Sequence, residues 1–188
     1  MLSAGEDGAR LWDLSTGASA GLFAGPSGYS WSDAPYVFSA RFSPDGARAL
    51  TFSGGGIMRV FAIPSGQPVY TARIPAQFGT VAAFSPRGDL IAASGNAPDL
   101  VQLFDAATGE PRRTLRGFKG GGTDSLFSPD GVLIAAASSA GTLRLWDAYT
   151  GAVVAEHPHG VAINSYGFSP TGDRIVTAAV DRTARVFS

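Results

Sequence analysis

One short turn sequence, Phe-Ser-Pro-Asp-Gly at residues 42–46, recurs through this chain and constrains its fold more than any other feature. Variants of the turn occupy residues 84–88, 127–131 and 168–172, so successive copies lie 42, 43 and 41 residues apart. Proline fixes φ at its own position, and glycine accepts the positive φ that lets the chain reverse its direction. Self-similarity at such a fixed period indicates a repeat architecture, in which each copy is one supersecondary unit.

The segments between these turns are short runs rich in Val, Ile, Leu, Phe and Ala, and none keeps a helical period. Short antiparallel strands are compatible with a sandwich, a barrel or a propeller, and four strands per repeat of about 42 residues select the propeller. We therefore predict an all-β propeller of four-stranded antiparallel blades, incomplete, with about 18 strands in three full blades and two partial ones. Within a single domain, 1–188, the predicted units are a partial blade at 1–24, blades at 36–74, 79–117 and 122–157, and a partial blade at 162–188.

The composition argues against several classes of partner. Apolar residues make up 45% of the chain, charged residues only 15%, and the net charge is −1 without any cluster of Lys and Arg. Binding to nucleic acid or to an anionic membrane is therefore not expected. There are no cysteines, the first residues lack a signal peptide, and the longest apolar run, 132–137, is too short to span a bilayer. These features favour a cytoplasmic protein.

Nothing in the sequence has the pattern of an enzyme site. His157 and His159 lack further ligands at metal-site spacing. The glycine triplets at 54–56 and 120–122 are not followed by Lys-Ser or Lys-Thr, which a phosphate-binding loop requires. The recurring serine is not in a nucleophile elbow, and no carboxylate pair is placed for hydrolysis. We predict a non-enzymatic protein without a metal or cofactor.

The clearest repeat, residues 127–151, contains Gly-Thr-Leu-Arg-Leu-Trp-Asp at 141–147 and Thr-Gly at 150–151. This pattern resembles the WD-repeat (WD40-like) β-propeller family, and the bias toward Ala, Gly and Arg resembles bacterial members. The Trp-Asp position recurs in register along nearly the whole chain. It is occupied by Trp12-Asp13, Phe61-Ala62, Phe104-Asp105, Trp146-Asp147 and Phe187-Ser188.

The resemblance implies a structural role for a second set of residues. Family members often hold a blade with hydrogen bonds between a turn Asp, a His before the first strand, a Ser or Thr on the second strand, and the Trp. Only the last unit has the histidine, His159, and there Phe187 replaces the Trp. The expected structural residues are Trp12, Asp13, Phe104, Asp105, Trp146, Asp147, His159, Thr177 and Asp181.

The resemblance also places the candidate binding residues on one face. The repeat stretches to 49 residues between Trp12 and Phe61, and the insertion falls at 25–35. In the family, such a connection between blades lies on the loop face, the face that commonly binds partners. An alternative is that Trp31 folds back and plugs a neighbouring blade. The predicted partner-binding residues are Tyr29, Trp31, Asp33 and Tyr36 near the insertion, and Phe38, Thr80, Asp124 and Asn164 on first strands.

Together these features predict a protein-interaction scaffold that binds a peptide or protein on its loop face. The alternative is a sensor or regulatory propeller segment of a larger bacterial signalling protein such as a kinase. Because the blade count is incomplete, three explanations stay open: a fragment of a longer protein, an ordered part of one, or a half that assembles with a second copy. Open propeller ends favour self-association.

Overall fold

The computed structural model describes residues 1–6, 8–23, 37–74, 79–95, 101–117 and 122–188, with residues 79, 80, 95, 122 and 123 described by their backbone alone. These parts of the chain form 18 strands in five antiparallel sheets and no α-helix. In every sheet, each strand pairs with the strand that follows it in the sequence. The predicted fold is confirmed: an incomplete propeller with three four-stranded blades between two three-stranded sheets.

The first sheet contains β1 (Leu2–Gly5), β2 (Gly8–Trp12) and β3 (Ser19–Phe23). The second contains β4 (Val37–Phe42), β5 (Arg48–Ser53), β6 (Ile57–Ala62) and β7 (Pro68–Arg73), with a 3-10 turn at Gly54–Gly56. The third contains β8 (Gly79–Phe84), β9 (Leu90–Gly95), β10 (Val101–Asp105) and β11 (Pro111–Leu115). The fourth contains β12 (Gly122–Phe127), β13 (Leu133–Ser138), β14 (Thr142–Asp147) and β15 (Val153–Pro158). The fifth contains β16 (Ile163–Phe168), β17 (Ile175–Ala179) and β18 (Ala184–Phe187).

The strand ends depart from the sequence expectation by a residue or two. The fourth sheet, for example, extends one residue past the predicted blade boundary at 157, because β15 ends at Pro158. The backbone N–H of His159 then donates to the carbonyl of Gly141, 2.7 Å away, which holds the chain against the neighbouring turn.

The Ser-Pro turns join the first strand of a blade to its second. In the turn at 42–46, the N–H of Ser43 donates to Arg48 O (3.0 Å), and the N–H of Gly46 donates to Ser43 O (2.9 Å). Gly46 has φ of +71° and Gly131 has φ of +72°, a conformation that costs glycine little and an L side chain more. The repeated glycine is therefore required by the backbone of the turn.

Apolar layers lie between neighbouring sheets rather than within one central core. The layer between the third and fourth sheets, for example, contains Leu103, Ile134 and Trp146, each at most 1% exposed. The other neighbouring sheets pack through equivalent layers, four in all among the described residues. Alanines at the centre of the second strands, such as Ala92 and Ala136, let adjacent sheets approach closely. Each sheet is thus stabilised by its neighbours, as in other repeat proteins.

Candidate functional site

Each described first strand of the second to fifth sheets begins with an irregularity in its pairing. The register of β4 with β5 shifts between Val37 and Ser39, and that of β16 with β17 shifts between Ile163 and Ser165. Equivalent shifts occur between Gly79 and Val81 and between Gly122 and Ser125. These β-bulges insert extra residues into the first strand. The residues within the four bulges include Phe38, Thr80, Asp124 and Asn164, the first-strand residues that the sequence nominated.

In β4, β12 and β16 the bulges turn Phe38, Asp124 and Asn164 away from the apolar layers. Phe38 is 44% exposed although its neighbours Val37 and Ser39 are buried. Asn164 is exposed next to the buried Ile163, and Asp124 is exposed next to Ser125. In a regular strand, alternation would place every second residue on a packed face. In β4, β12 and β16 the bulge therefore presents a residue to solvent near the start of the sheet.

Antiparallel connectivity places the bulges at one edge of all the sheets. The start of a first strand, the turn between second and third strands, and the end of a fourth strand lie at this edge, the loop face. The first strands are also neighbours in space, since β4 lies beside β8 and β8 beside β12. Ser39 Oγ donates to Ala82 O across the first of these contacts, at 3.5 Å. The exposed bulge residues Phe38, Asp124 and Asn164 combine an aromatic ring, a carboxylate and an amide.

The other four candidate residues, Tyr29, Trp31, Asp33 and Tyr36, lie outside the described residues, as does the side chain of Thr80. The two alternatives for Trp31, a partner contact or a plug, therefore both remain predictions.

The opposite edge, which we call the turn face, carries the Ser-Pro turns, each built around a serine–aspartate pair. Ser43 Oγ donates to Asp45 Oδ1 (2.5 Å), and Ser128 Oγ donates to Asp130 Oδ1 (2.6 Å). These hydrogen bonds lower the pKa of Asp45 and of Asp130 below the ordinary value. The paired groups lie within their own turns, so their role is to hold the turn.

Two aspartates that sequence reasoning missed complete the turns in which Arg87 or Thr171 replaces the turn Asp. Ser85 Oγ donates to Asp89 Oδ1, and Ser169 Oγ donates to Asp173 Oδ1, each over 2.8 Å. Both aspartates lie two residues beyond the replaced position. The signal that could have found them is an Asp directly after the turn glycine in just these two copies.

The aspartates of the Trp-Asp position also form local hydrogen bonds. Asp147 Oδ1 accepts from the N–H groups of Tyr149 (2.9 Å) and Thr150 (2.7 Å), and Asp13 and Asp105 hold the equivalent turns. Arg112 donates to Asp105 Oδ2 over 2.5 Å, and this bond, with the turn N–H groups, lowers the pKa of Asp105 to about 2. The pKa values of Asp13 and Asp147 are also lowered by their turn hydrogen bonds.

The aromatic members of that position lie in the apolar layers. Trp146 and Phe104 are 1% and 2% exposed, whereas Trp12 is partly exposed. The indole N–H of Trp12 donates to Ser3 Oγ over 2.8 Å, a pair between neighbouring strands that sequence reasoning did not identify.

His159 is buried, at 7% exposed, and its Nε2 lies 2.5 Å from Thr177 Oγ1. Desolvation and the nearby Arg185 lower the pKa of His159, and Asp181 opposes them. The structure brings His159 and Thr177 together, but the Asp181 carboxylate instead accepts from the N–H and hydroxyl of Thr183. His159 Nδ1 has no hydrogen-bond partner among the described residues.

Among the residues that the structure describes, no group of three or more His, Asp or Glu side chains is placed to hold a metal ion. Within the same residues, no helix is long and apolar enough to cross a membrane. A cavity of about 330 Å³ opens between the second and third sheets on the turn face. Its lining mixes charges of both signs, including Asp45, Arg48, Arg87 and Asp89.

Antiparallel sheets joined in sequence order and packed face to face define a repeat protein of the β-propeller class. Comparison with known families then assigns the repeat: a family model described as WD domain, G-beta repeat, matches residues 109–147 and 152–188. These two segments are WD repeats. Each match runs from just before the fourth strand of one sheet to the end of the third strand of the next, so the sequence repeat and the sheet are offset by one strand.

No curated protein matches the chain. WD repeats generally mediate protein–protein interaction, and WD-repeat proteins are generally non-enzymatic scaffolds.

Proposed function

We propose that this chain is a non-enzymatic scaffold that binds a peptide or protein segment on its loop face. The observation that carries the proposal is the shared bulge at the start of the first strands. It exposes Phe38, Asp124 and Asn164 at the same edge of the second, fourth and fifth sheets. Binding residues on a rigid scaffold lose little conformational entropy when a partner docks.

The chemistry of these residues fits recognition of an irregular peptide better than recognition of a polyanion. Phe38 supplies apolar area, while Asp124 and Asn164 supply one charged and one neutral hydrogen-bonding group. A partner with a basic or amide-rich stretch beside an apolar side chain would complement this set. Tyr29, Trp31, Asp33, Tyr36 and Thr80 belong to the same proposal on sequence grounds.

No described residue favours the alternative, a regulatory segment of a larger bacterial signalling protein such as a kinase, which remains a prediction. The two hypotheses agree on the binding face and differ in what the scaffold is joined to.

The test compares two phenylalanines on one strand. Phe38 lies near the start of β4 on the loop face and Phe42 ends it on the turn face, and they are 44% and 39% exposed. A displayed peptide library is selected against the whole chain, and the best peptide is titrated by calorimetry. Phe38→Ala should weaken binding by about tenfold or more, the size of an aromatic contact at an interface.

Phe42→Ala is the matched control and should leave the dissociation constant within about twofold, with melting temperatures recorded for both variants. Equal effects of the two substitutions, or selection of peptides that bind the turn face, would contradict the proposal.

Self-association through the open ends of the arc is the second part of this proposal. The outer faces of the first and fifth sheets expose apolar side chains, among them Met1, Val176 and Val186. Exposed apolar faces at the ends of a repeat array favour association unless they are capped by polar residues.

A further inference from the structure

The four packed interfaces between neighbouring sheets are built from the same two surfaces. Each interior sheet packs through both of its surfaces. We call the surface that packs on the sheet earlier in the sequence the preceding face, and we call the opposite surface the following face. In each interface the preceding face contributes one large aromatic side chain from the Trp-Asp position. These side chains are Phe61, Phe104, Trp146 and Phe187, in chain order.

The following face supplies the side chains around that aromatic, which include Phe23 in the first sheet and Phe52 in the second. In the third and fourth sheets they are small and aliphatic. In the fourth sheet, Ala135 lies opposite Leu145 and Ala137 lies opposite Leu143, and these residues pack on the fifth sheet. Leu143 is fully buried and Leu145 is 7% exposed.

The following face of the fifth sheet repeats this arrangement. Val176 lies opposite Val186 and Ala178 lies opposite Ala184, in the same register as the two pairs of the fourth sheet. Here, however, Val176 is 45% exposed and Val186 is 64% exposed. Among the described residues, no sheet covers this face, although its side chains are of the type that pack in the interior interfaces.

The preceding face of the first sheet supplies the complementary surface. Met1 and Trp12 pair through two backbone hydrogen bonds, of 2.8 and 2.9 Å, in the register of Ile134 and Trp146. Met1 is 57% exposed, and Trp12 is partly exposed, whereas Trp146 at the equivalent position is 1% exposed. Trp12 is thus the fifth aromatic residue of the series.

We propose that two copies of this chain associate head to tail, with the preceding face of one copy's first sheet seated on the following face of the other copy's fifth sheet. Trp12 and Met1 then contact Val176, Ala184 and Val186, as Trp146 and Ile134 contact the third sheet through Ala92, Val101 and Leu103. The contact continues the interface series already present four times within the chain. This inference rests on the proposed self-association and adds its orientation.

A symmetric contact between two fifth sheets is disfavoured by the same comparison. It would oppose valines and alanines with no large aromatic side chain to fill the space between the sheets, and poorly filled interfaces lose contacts. A head-to-tail contact is heterologous, so it closes into a ring or continues as a filament according to the rotation between copies.

The test uses sedimentation velocity on the whole chain with two substitutions, one on each face. Val176→Glu places a carboxylate on the following face, and Ser3→Glu places one on the preceding face while retaining an oxygen acceptor for Trp12 Nε1. The unsubstituted chain should sediment as multiples of 19.3 kDa. Each variant alone should raise the dissociation constant at least about tenfold, because a buried unpaired carboxylate is costly.

The mixture of the two variants gives the decisive result. The Val176→Glu chain keeps its preceding face, and the Ser3→Glu chain keeps its following face. These two intact faces can pack together once, so a dimer should form and no larger species. Val69→Glu is the control, because Val69 is also 45% exposed but lies on β7 of an interior sheet. It should associate like the unsubstituted chain. Val186→Glu and Trp12→Ala repeat the test if circular dichroism shows that either first variant is unfolded.

The outcomes separate the two claims. A chain that is monomeric at every concentration overturns both the self-association and its orientation. A chain that associates, but whose two variants do not recombine into a dimer, overturns the orientation alone. Peptide binding at Phe38 is independent of both results.

Discussion

At the scale of single residues, the aspartates that recur with the repeat form hydrogen bonds within their own turns. Asp45, Asp130 and Asp147 each accept from groups within three residues along the chain. Such local bonds satisfy the backbone donors of a tight turn, which would otherwise depend on water. These carboxylates hold their own turns, whereas Phe38 and Asp124 differ among the blades and belong to the proposed binding surface.

His159 gives a pH prediction at this scale. Its pKa is lowered in the folded protein, so the folded chain favours the neutral ring, while the unfolded chain takes up a proton near pH 6.5. The stabilising contribution is complete above that pH and is lost as the pH falls toward the lower folded pKa. His159→Gln should therefore flatten the decline in melting temperature between about pH 7.5 and about pH 5.

The control for this experiment is the chain's other histidine. His157→Gln retains His159, so a change of slope that is as large in His157→Gln as in His159→Gln would contradict the assignment to His159. If the melting temperature declines equally steeply with falling pH in His159→Gln and in the parent protein, protonation of the His159 ring is not coupled to folding.

At the scale of elements, turns determine the strand ends more than strand propensity does. The turn between β13 and β14 ends at Gly141, which has φ of +84°. A Cβ on Gly141 would overlap the carbonyl group of Val161, in the connection to the fifth sheet. This glycine is therefore needed twice, for its backbone conformation and for the close approach of the next connection.

A pair of glycine substitutions separates these two requirements. Gly160 has φ of +78°, and no neighbouring atom lies within 4 Å of the position that a Cβ would take, so Gly160→Ala adds conformational strain alone, about 1 kcal/mol. Gly141→Ala adds the clash with backbone and should destabilise by about 2 kcal/mol more, as overpacking does. Urea denaturation measures both, and equal losses would mean that the Val161 connection moves aside at little cost.

At the scale of the whole molecule, stability comes from interfaces between successive sheets. Ile134 is fully buried between the third and fourth sheets, whereas Val69 is 45% exposed at the outer strand of the second. Because each sheet packs on its neighbours, the loss of one interior interface is felt by the sheets on both sides.

This arrangement predicts a large difference between two aliphatic truncations. Ile134→Ala should lower the free energy of unfolding by about 2–5 kcal/mol, the cost of a buried cavity. Val69→Ala should change it by about 0.5 kcal/mol or less. Chemical denaturation of both variants checks the comparison, and comparable losses would contradict the layered description of the core.

Much of this arrangement could be predicted from the sequence, because the repeat fixes it. The period of the Ser-Pro turns indicated the number of strands and sheets, and the Trp-Asp register located Phe104 and Trp146. The sequence did not indicate the bulges, since an extra strand residue leaves no signature when its neighbours are apolar. Nor did it indicate that Asp89 and Asp173 replace the turn aspartate, because each lies two residues further along the chain than the aspartate of the other copies. The four candidates at 29–36 lie outside the described residues.

The bulges have a consequence for how this surface can change over time. A residue that lies within a bulge, between two paired positions of its strand, can be replaced without shifting the pairing on either side of it. At Phe38, Asp124 and Asn164 the choice of side chain is therefore decoupled from the register of the blade. The loop face can acquire new specificities one position at a time while the apolar layers stay as they are, which makes these positions natural sites for randomisation in a binder library.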